Sequence, residues 1–175
     1  MRPRTCSRLL DHLEIAACKG VGISAGGNIL LHMATRQPDR ITAMVLVSAT
    51  PYFPAQARVI MSQYAESLPE EQWQLLRQRH PGGDAQIKAI LASTTAFATS
   101  CDDMNFTPPY LATIQARTLI VQGERDPLYP VEISVEMAKA IRHSSLWIVP
   151  NAGHGPVIGD RWPEFLKTSV AFLRE

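Results

Sequence analysis

Three residues in this sequence have the types and settings needed for covalent acyl chemistry. Ser24 lies in GVGISAGG, with Gly22 two places before it and Gly26 two after; Asp126 lies in QGERDPLYP and His154 in PNAGHGP. A serine hydroxyl is a weak nucleophile at neutral pH and attacks a carbonyl only when a neighbouring base removes its proton. His154 is the candidate base. A buried carboxylate would stabilise the resulting imidazolium and hold the ring in the tautomer that leaves Nε2 free, and Asp126 is the candidate for that role. The G-x-S-x-G spacing fits a strand that turns sharply into a helix, where two backbones pass so closely that only small residues fit at the crossing. Ser24 would sit at the apex of that turn, strained, with its hydroxyl turned outward. The backbone N–H of Ala25, first residue of the helix, is then the candidate oxyanion donor.

These side chains need elements to carry them. Four continuous apolar runs, GVGI at 20–23, AMVLV at 43–47, TLIVQ at 118–122 and LWIV at 146–149, read as strands covered on both faces. Helical patterns separate them. Ile29, Leu30, Met33 and Ala34 share a face that ends before Pro38, and Ile133, Met137, Ala138 and Ile141 share another over 131–142, entered through Pro130. Trp162, Phe165, Leu166, Val170 and Leu173 form a stripe over 162–174. Alternating strands and helices predict the α/β class, with a parallel sheet of about four strands, right-handed crossovers and flanking helices.

Ligands of such sheets bind beyond the carboxyl ends of the strands. Ser24, Asp126 and His154 each follow a different predicted strand, whereas His12, His32, His80 and His143 follow none. Glu124 competes with Asp126 as the acid; Asp126 is preferred because Glu124 reads as a charge on the rim of the sheet. The second strand is followed only by SATP, which offers no acid.

The stretch 51–115 is too long for a plain connection and must have structure of its own. Val59, Ile60 and Tyr64 suggest one helix. A capping box of Ser67 and Glu70 opens a second through Trp73 and Leu76, and Ile87, Ile90 and Leu91 give a third. The expected organisation is a core formed by 1–50 and 116–175 with a helical lid inserted at 51–115. Tyr52, Phe53, Trp73, Phe97, Phe106 and Tyr110 provide aromatic surface either for an apolar pocket or for the lid's own core.

Bulk properties narrow the function classes. The 175 residues are 46% hydrophobic and 19% charged, enough for one sizeable core, and a net charge of +1 without a basic, aromatic-interleaved stripe argues against nucleic-acid or membrane-surface partners. Near the N-terminus, Asp11, His12 and Glu14 interrupt the apolar residues before they reach signal-peptide length, so this segment reads as a soluble helix. Cys6, Cys18 and Cys101 are odd in number and show no CxxC spacing, as expected of reduced thiols in a cytoplasmic protein. Neither a metal nor a cofactor is expected. The partner expected is a small acyl substrate.

Together with GISAGG, the stretches RQPDRITAMVLVSATP, TLIVQGERDPLYPVE and WIVPNAGHGPV give a chain order of Ser, Asp, His that resembles the α/β-hydrolase superfamily, especially its lidded esterases, lactonases and related hydrolases. The resemblance covers nearly the whole chain. It implies Ser24 as nucleophile, His154 as general base and acid, and Asp126 as the group orienting His154. Relatives that work through an alkyl-enzyme ester have aspartate at the elbow and the dienelactone hydrolases cysteine, so serine implies an acyl-enzyme. In one respect the chain departs from the family: 23 residues precede Ser24, where a complete member has several strands, a helix and the loop giving a second oxyanion donor. An N-terminally truncated hydrolase is therefore expected, with a non-catalytic chain of the same ancestry as the alternative. The strand ending at Ile23 would then have an open edge, at which self-association is expected.

Overall fold

A computed structural model describes residues 3–64 and 68–175. The elements run α1 (Pro3–His12), β1 (Cys18–Ile23), α2 (Ala25–Arg36), β2 (Ile41–Val47), α3 (Ala55–Gln63), α4 (Glu70–Arg79), α5 (Gly83–Ala96), α6 (Pro108–Leu111), β3 (Arg117–Gly123), α7 (Val131–Ala140), β4 (Ser144–Val149) and α8 (Trp162–Arg174), with 3-10 turns at Pro38–Arg40 and Gly159–Arg161. Each strand extends its apolar run by one or two residues. The four strands form one parallel sheet in the order β1-β2-β3-β4. Contacts divide the chain into two compact units, one of 1–52 with 106–175 and one of 53–105.

In the first unit, β1-α2-β2 and β3-α7-β4 step the same way along the sheet, so right-handed crossovers place α2 and α7 on one face. On the other face Val45, Val47, Leu119, Val121 and Val149 pack with Ala152, Val157 and Phe165 of the chain that follows β4. Phe165, 1% exposed, contributes about 1.5–3 kcal/mol by its burial. The stripe on α8 is narrower than the sequence suggests. Phe165 and Ser169 are buried, while Trp162, Leu166 and Val170 stay 44, 43 and 41% exposed, because the apolar arc is wider than the surface the sheet offers it.

The second unit, 53–105, holds α3, α4 and α5, with α5 contacting both of the others. The face of α3 also differs from the expectation: Val59, Ile60 and Tyr64 are exposed, and the buried pair is Ala57 and Met61, an i, i+4 ridge on a helix that packs against α5. The predicted capping residue Ser67 lies outside the described residues. Helix α4 starts behind Pro69, whose carbonyl accepts from the Gln72 and Trp73 N–H groups. Arg58 gathers the end of α5: its Nε donates to the Phe53 carbonyl at 3.0 Å and its Nη1 to those of Phe97, Ala98 and Ser100 at 3.1, 3.3 and 2.6 Å. Arg58 thereby ties the chain entering α3 to the segment that follows α5.

Among the described residues no helix is long and apolar enough to cross a membrane. Strand β1 is an edge of the sheet, and Val21 and Ile23, in register with Val45 and Val47, are 50 and 39% exposed. Lys19 is the one charge in β1, and no charge or proline interrupts Gly20–Ile23, so that part of the edge has nothing to block pairing with another strand. The 175-residue chain is expected to self-associate there, seen as a concentration-dependent mass in size-exclusion chromatography with light scattering. A sharp monomer peak with strong hydrogen-exchange protection across 19–24 would rule this out.

Candidate active site

Strand β1 ends at Ile23 and α2 begins at Ala25, which leaves Ser24 alone at the turn. Its φ of 50° and ψ of −116° are strained for a residue with a side chain, at a typical cost of about 1–3 kcal/mol. Two hydrogen bonds fix this conformation: Ser24 N–H donates to the Val47 carbonyl at 2.7 Å, and the Ser24 carbonyl accepts from Asn28 N–H at 3.1 Å. A Cβ on Gly22 would stand 2.5 Å from the carbonyl of Gly26 and the nitrogen of Gly27, and one on Gly27 would stand 2.7 Å from Ala49 Cβ. On Gly26 a Cβ would meet nothing within 4 Å. The side-chain constraint that the sequence pattern gives to Gly22 and Gly26 therefore falls on Gly22 and Gly27, and Gly26 is crowded only through its backbone. Ala25 is exposed at the first position of α2, where helix N–H groups have no intrahelical acceptor.

The loops after β3 and β4 are stitched together. Glu124 N–H donates to the Val149 carbonyl at 3.0 Å and Arg125 N–H to that of Ala152 at 2.8 Å, while Asn151 N–H donates to Glu124 Oε2 at 2.7 Å. Glu124 thus shapes the histidine loop, and the carboxylate facing the ring is that of Asp126. The approach is close enough that a Cβ on Gly123 would lie 2.1 Å from the Gly153 carbonyl oxygen. Just beyond His154, Val157 is fully buried in the core and anchors the loop.

Ser24, His154 and Asp126 meet although Ser24 and His154 are 130 residues apart. His154 Nε2 lies 2.8 Å from Ser24 Oγ, and Nδ1 lies 2.8 Å from Asp126 Oδ2. A carboxylate only accepts, so the ring proton belongs on Nδ1, which leaves Nε2 to accept from the serine hydroxyl. The His154 side chain is 27% exposed and that of Asp126 0%. Burial alone would raise the Asp126 pKa; the bond and charge of His154, with the Leu128 and Tyr129 N–H groups at 2.8 and 3.2 Å, outweigh it and hold the carboxyl below its ordinary value. Because the folded value lies below the unfolded one, Asp126 contributes stability that is present above about pH 4 and lost as pH falls through the folded value.

Around this trio stand residues that the sequence reading passed over. Gln122, taken as the end of an apolar run, is fully buried beside Asp126. Tyr129 is 2% exposed, sets its ring edge-on to His154 with centroids 5.2 Å apart, and has the Asn28 side chain near its hydroxyl. Burial, and then the Asp126 charge, push its phenol well above the usual tyrosine value. Asn28 in turn accepts from Thr50 N–H at 3.0 Å. For Gln122 and Asn28 the sequence signal is a polar side chain placed where a buried strand or helix face calls for an apolar one; Tyr129, in the loop between β3 and α7, has no such signal. Of the aromatics considered for a pocket, Phe53 and Phe97 pack together within the 53–105 unit, and Phe106 stacks with Tyr110 in the other. Among the described residues no group of three or more His, Cys, Asp or Glu could hold a metal ion.

The Gly123 approach gives a direct test. Gly123→Ala forces the two loops apart, so a loss of roughly 1–3 kcal/mol in urea denaturation is expected, together with slower reaction of Ser24 with a fluorophosphonate. An unchanged midpoint and labelling rate would show that the approach is not needed.

The chain is similar to known proteins in sequence and in fold. The 2-hydroxy-6-oxo-6-phenylhexa-2,4-dienoate hydrolase of Comamonas testosteroni is 24% identical, with 98% of this chain and 68% of that protein covered. Pimeloyl-[acyl-carrier protein] methyl ester esterase of Vibrio vulnificus is 26% identical, with 86 and 68% covered. The chain thus spans about two thirds of the length of these relatives. Among solved structures, the enol-lactonase from Burkholderia xenovorans shares the fold with a TM-score of 0.71 at 22% identity, over 99% of this chain and 72% of that one. An alpha/beta hydrolase enzyme from a deep-sea metagenome library does so with a TM-score of 0.75 at 20% identity, over 99 and 70%. The sequence pattern of the alpha/beta hydrolase family matches residues 4–168, and with a parallel sheet whose strand ends carry the serine, acid and histidine in that family's order, the chain belongs to the alpha/beta hydrolase family.

Proposed function

We propose that the protein is a serine hydrolase that cleaves a small carboxylic ester, lactone or related acyl compound through an acyl-enzyme. The observation that carries this reading is the pair of 2.8 Å contacts from His154 to Ser24 and to Asp126. As Ser24 Oγ bonds to the substrate carbonyl carbon, its proton passes to His154 Nε2. The imidazolium is stabilised by Asp126 and then delivers that proton to the leaving oxygen as the carbonyl–oxygen bond breaks. Water, deprotonated by His154 in its turn, attacks the acyl carbon, and as the bond from that carbon to Ser24 Oγ breaks the imidazolium returns its proton to Oγ and the carboxylic acid leaves. The charge on the carbonyl oxygen in each tetrahedral state is met by the Ala25 N–H.

Two of the similar proteins support the acyl substrate class in kind. One is named as a methyl ester esterase and another as an enol-lactonase, and both names describe an acyl carbon bonded to oxygen. The competing reading, a non-catalytic chain of hydrolase ancestry, rests on the oxyanion site, where losing one donor typically costs ~10²–10³ in turnover. In this proposal the 53–105 unit is the lid, its bounds narrower than the 51–115 expected from sequence.

Covalent labelling by a fluorophosphonate separates the two readings. The probe is expected to modify Ser24, and Ser24→Ala to abolish the signal; labelling that persists in this variant removes Ser24 from the role. A second prediction concerns the acid. Asp126→Asn is expected to lower kcat by about 10⁴ while the fold persists, since an amide favours the wrong imidazole tautomer. Glu124→Gln should change kcat far less, because Glu124 binds Asn151 N–H and not the ring. Turnover measured on both variants decides the assignment, and a reversed order would move the acid to Glu124.

A further inference from the structure

We propose that Gln122 is the positioning residue of the Asp126 carboxylate, and that through Asp126 it sets how strongly His154 is bound and how basic it is; this rests on reading Ser24, His154 and Asp126 as a working triad. Gln122 lies one residue before the end of β3 and has no exposed surface. Both hydrogens of its amide are used: Nε2 is 2.9 Å from Asp126 Oδ2 and 2.8 Å from the Tyr129 carbonyl. Each of these neighbours can only accept, so the amide has one orientation, nitrogen towards them and oxygen away.

That orientation leaves Gln122 Oε1 buried without a hydrogen-bond partner among the described residues. An unpaired buried carbonyl destabilises the fold. Methionine would fill the same length of space without an unpaired carbonyl, but it would take a donor from both Asp126 Oδ2 and the Tyr129 carbonyl. What glutamine supplies here and methionine cannot is its two N–H donors.

Their effect follows from where they point. Asp126 Oδ1 accepts from Leu128 and Tyr129 N–H, and Oδ2 accepts from both His154 Nδ1 and Gln122 Nε2. With donors on both oxygens the carboxylate cannot turn about its terminal bond, and Oδ2 stays aimed at the ring. The second donor on Oδ2 also withdraws part of the charge offered to His154. Through the Tyr129 carbonyl the same amide holds closed the 126–129 turn, whose last residue sets its ring against His154.

The test compares Gln122→Met and Gln122→Glu with the unaltered chain. Three measurements are made: thermal melting, the pH dependence of p-nitrophenyl acetate hydrolysis, and the downfield proton resonance of the His154 Nδ1–H. For Gln122→Met the melting temperature should fall modestly, because Asp126 Oδ2 and the Tyr129 carbonyl each lose a buried donor. Its kcat should fall about tenfold, the worth of one hydrogen bond to a charged group, with KM unchanged. The acid limb of kcat/KM should move to higher pH and the resonance should shift, since Oδ2 then bonds His154 alone. Gln122→Glu keeps the shape and donates to Asp126 only when protonated, so its activity relative to the unaltered chain should rise as pH falls. This second variant decides the matter if Gln122→Met does not fold. An unchanged pH profile and resonance in Gln122→Met, or a pH-independent activity ratio in Gln122→Glu, overturns the proposal. Failure of the triad reading is seen separately, as fluorophosphonate labelling that survives Ser24→Ala, and the resonance reads Gln122 without reference to turnover.

Discussion

A carboxylate with no exposed side-chain surface is the constraint around which the rest of this site is built. A buried charge is tolerated only when donors replace the water it has lost. Asp126 is given four: two backbone N–H groups of its own turn, the Gln122 amide and His154. The first three hold the acid still. The fourth brings the imidazole in with its proton on Nδ1, which leaves the opposite nitrogen for Ser24. Satisfying one buried charge therefore decides the tautomer and direction of the ring.

The sheet makes this possible because its register is level at one end. Ile23 lies opposite Val47, Val47 opposite Val121, and Gly123 opposite Val149. The chain leaves β1, β3 and β4 on the same rim, and the three loops need only a few residues to converge. They converge closely, since neither Gly22 nor Gly123 has room for a Cβ. Ser24 and Ser48 follow neighbouring strands with φ of 50° and 48°. Each N–H donates to the last residue or the end of the adjacent strand, Val47 for Ser24 and Val121 for Ser48, so local strain is held by ladder-like bonds.

Much of the helical surface is less determined. The apolar arcs of α3 and α8 are wider than the surfaces that receive them, so several apolar residues of each remain exposed. Hydropathy marks which residues can be buried on such a helix. Which of them are buried depends on the neighbour, and that is why Ala57 and Met61 face inward in α3 while Val59 and Ile60 do not. In the 53–105 unit the end of α5 is organised by a side chain from another helix, Arg58, a pairing no local pattern signals.

The order of strands and helices, the placing of Ser24, Asp126 and His154 after three different strands, and the tight turn at Gly22 were all legible in the chain. They depend on short-range properties: runs of apolar residues, the small-residue spacing of an elbow, and turn residues at strand ends. The helix faces, the shift of the glycine requirement from Gly26 to Gly27, and the parts taken by Gln122, Tyr129, Asn28 and Glu124 were decided by tertiary structure alone. Each depends on distances between segments far apart in sequence: Gly27 against Ala49, Glu124 against Asn151, Asn28 against Tyr129. Gln122 is near Asp126 in sequence, yet it matters only because the acid is buried and needs a donor there. A sequence displays the residues able to meet a buried charge, and only the packed chain determines which of them lies within hydrogen-bonding distance of it.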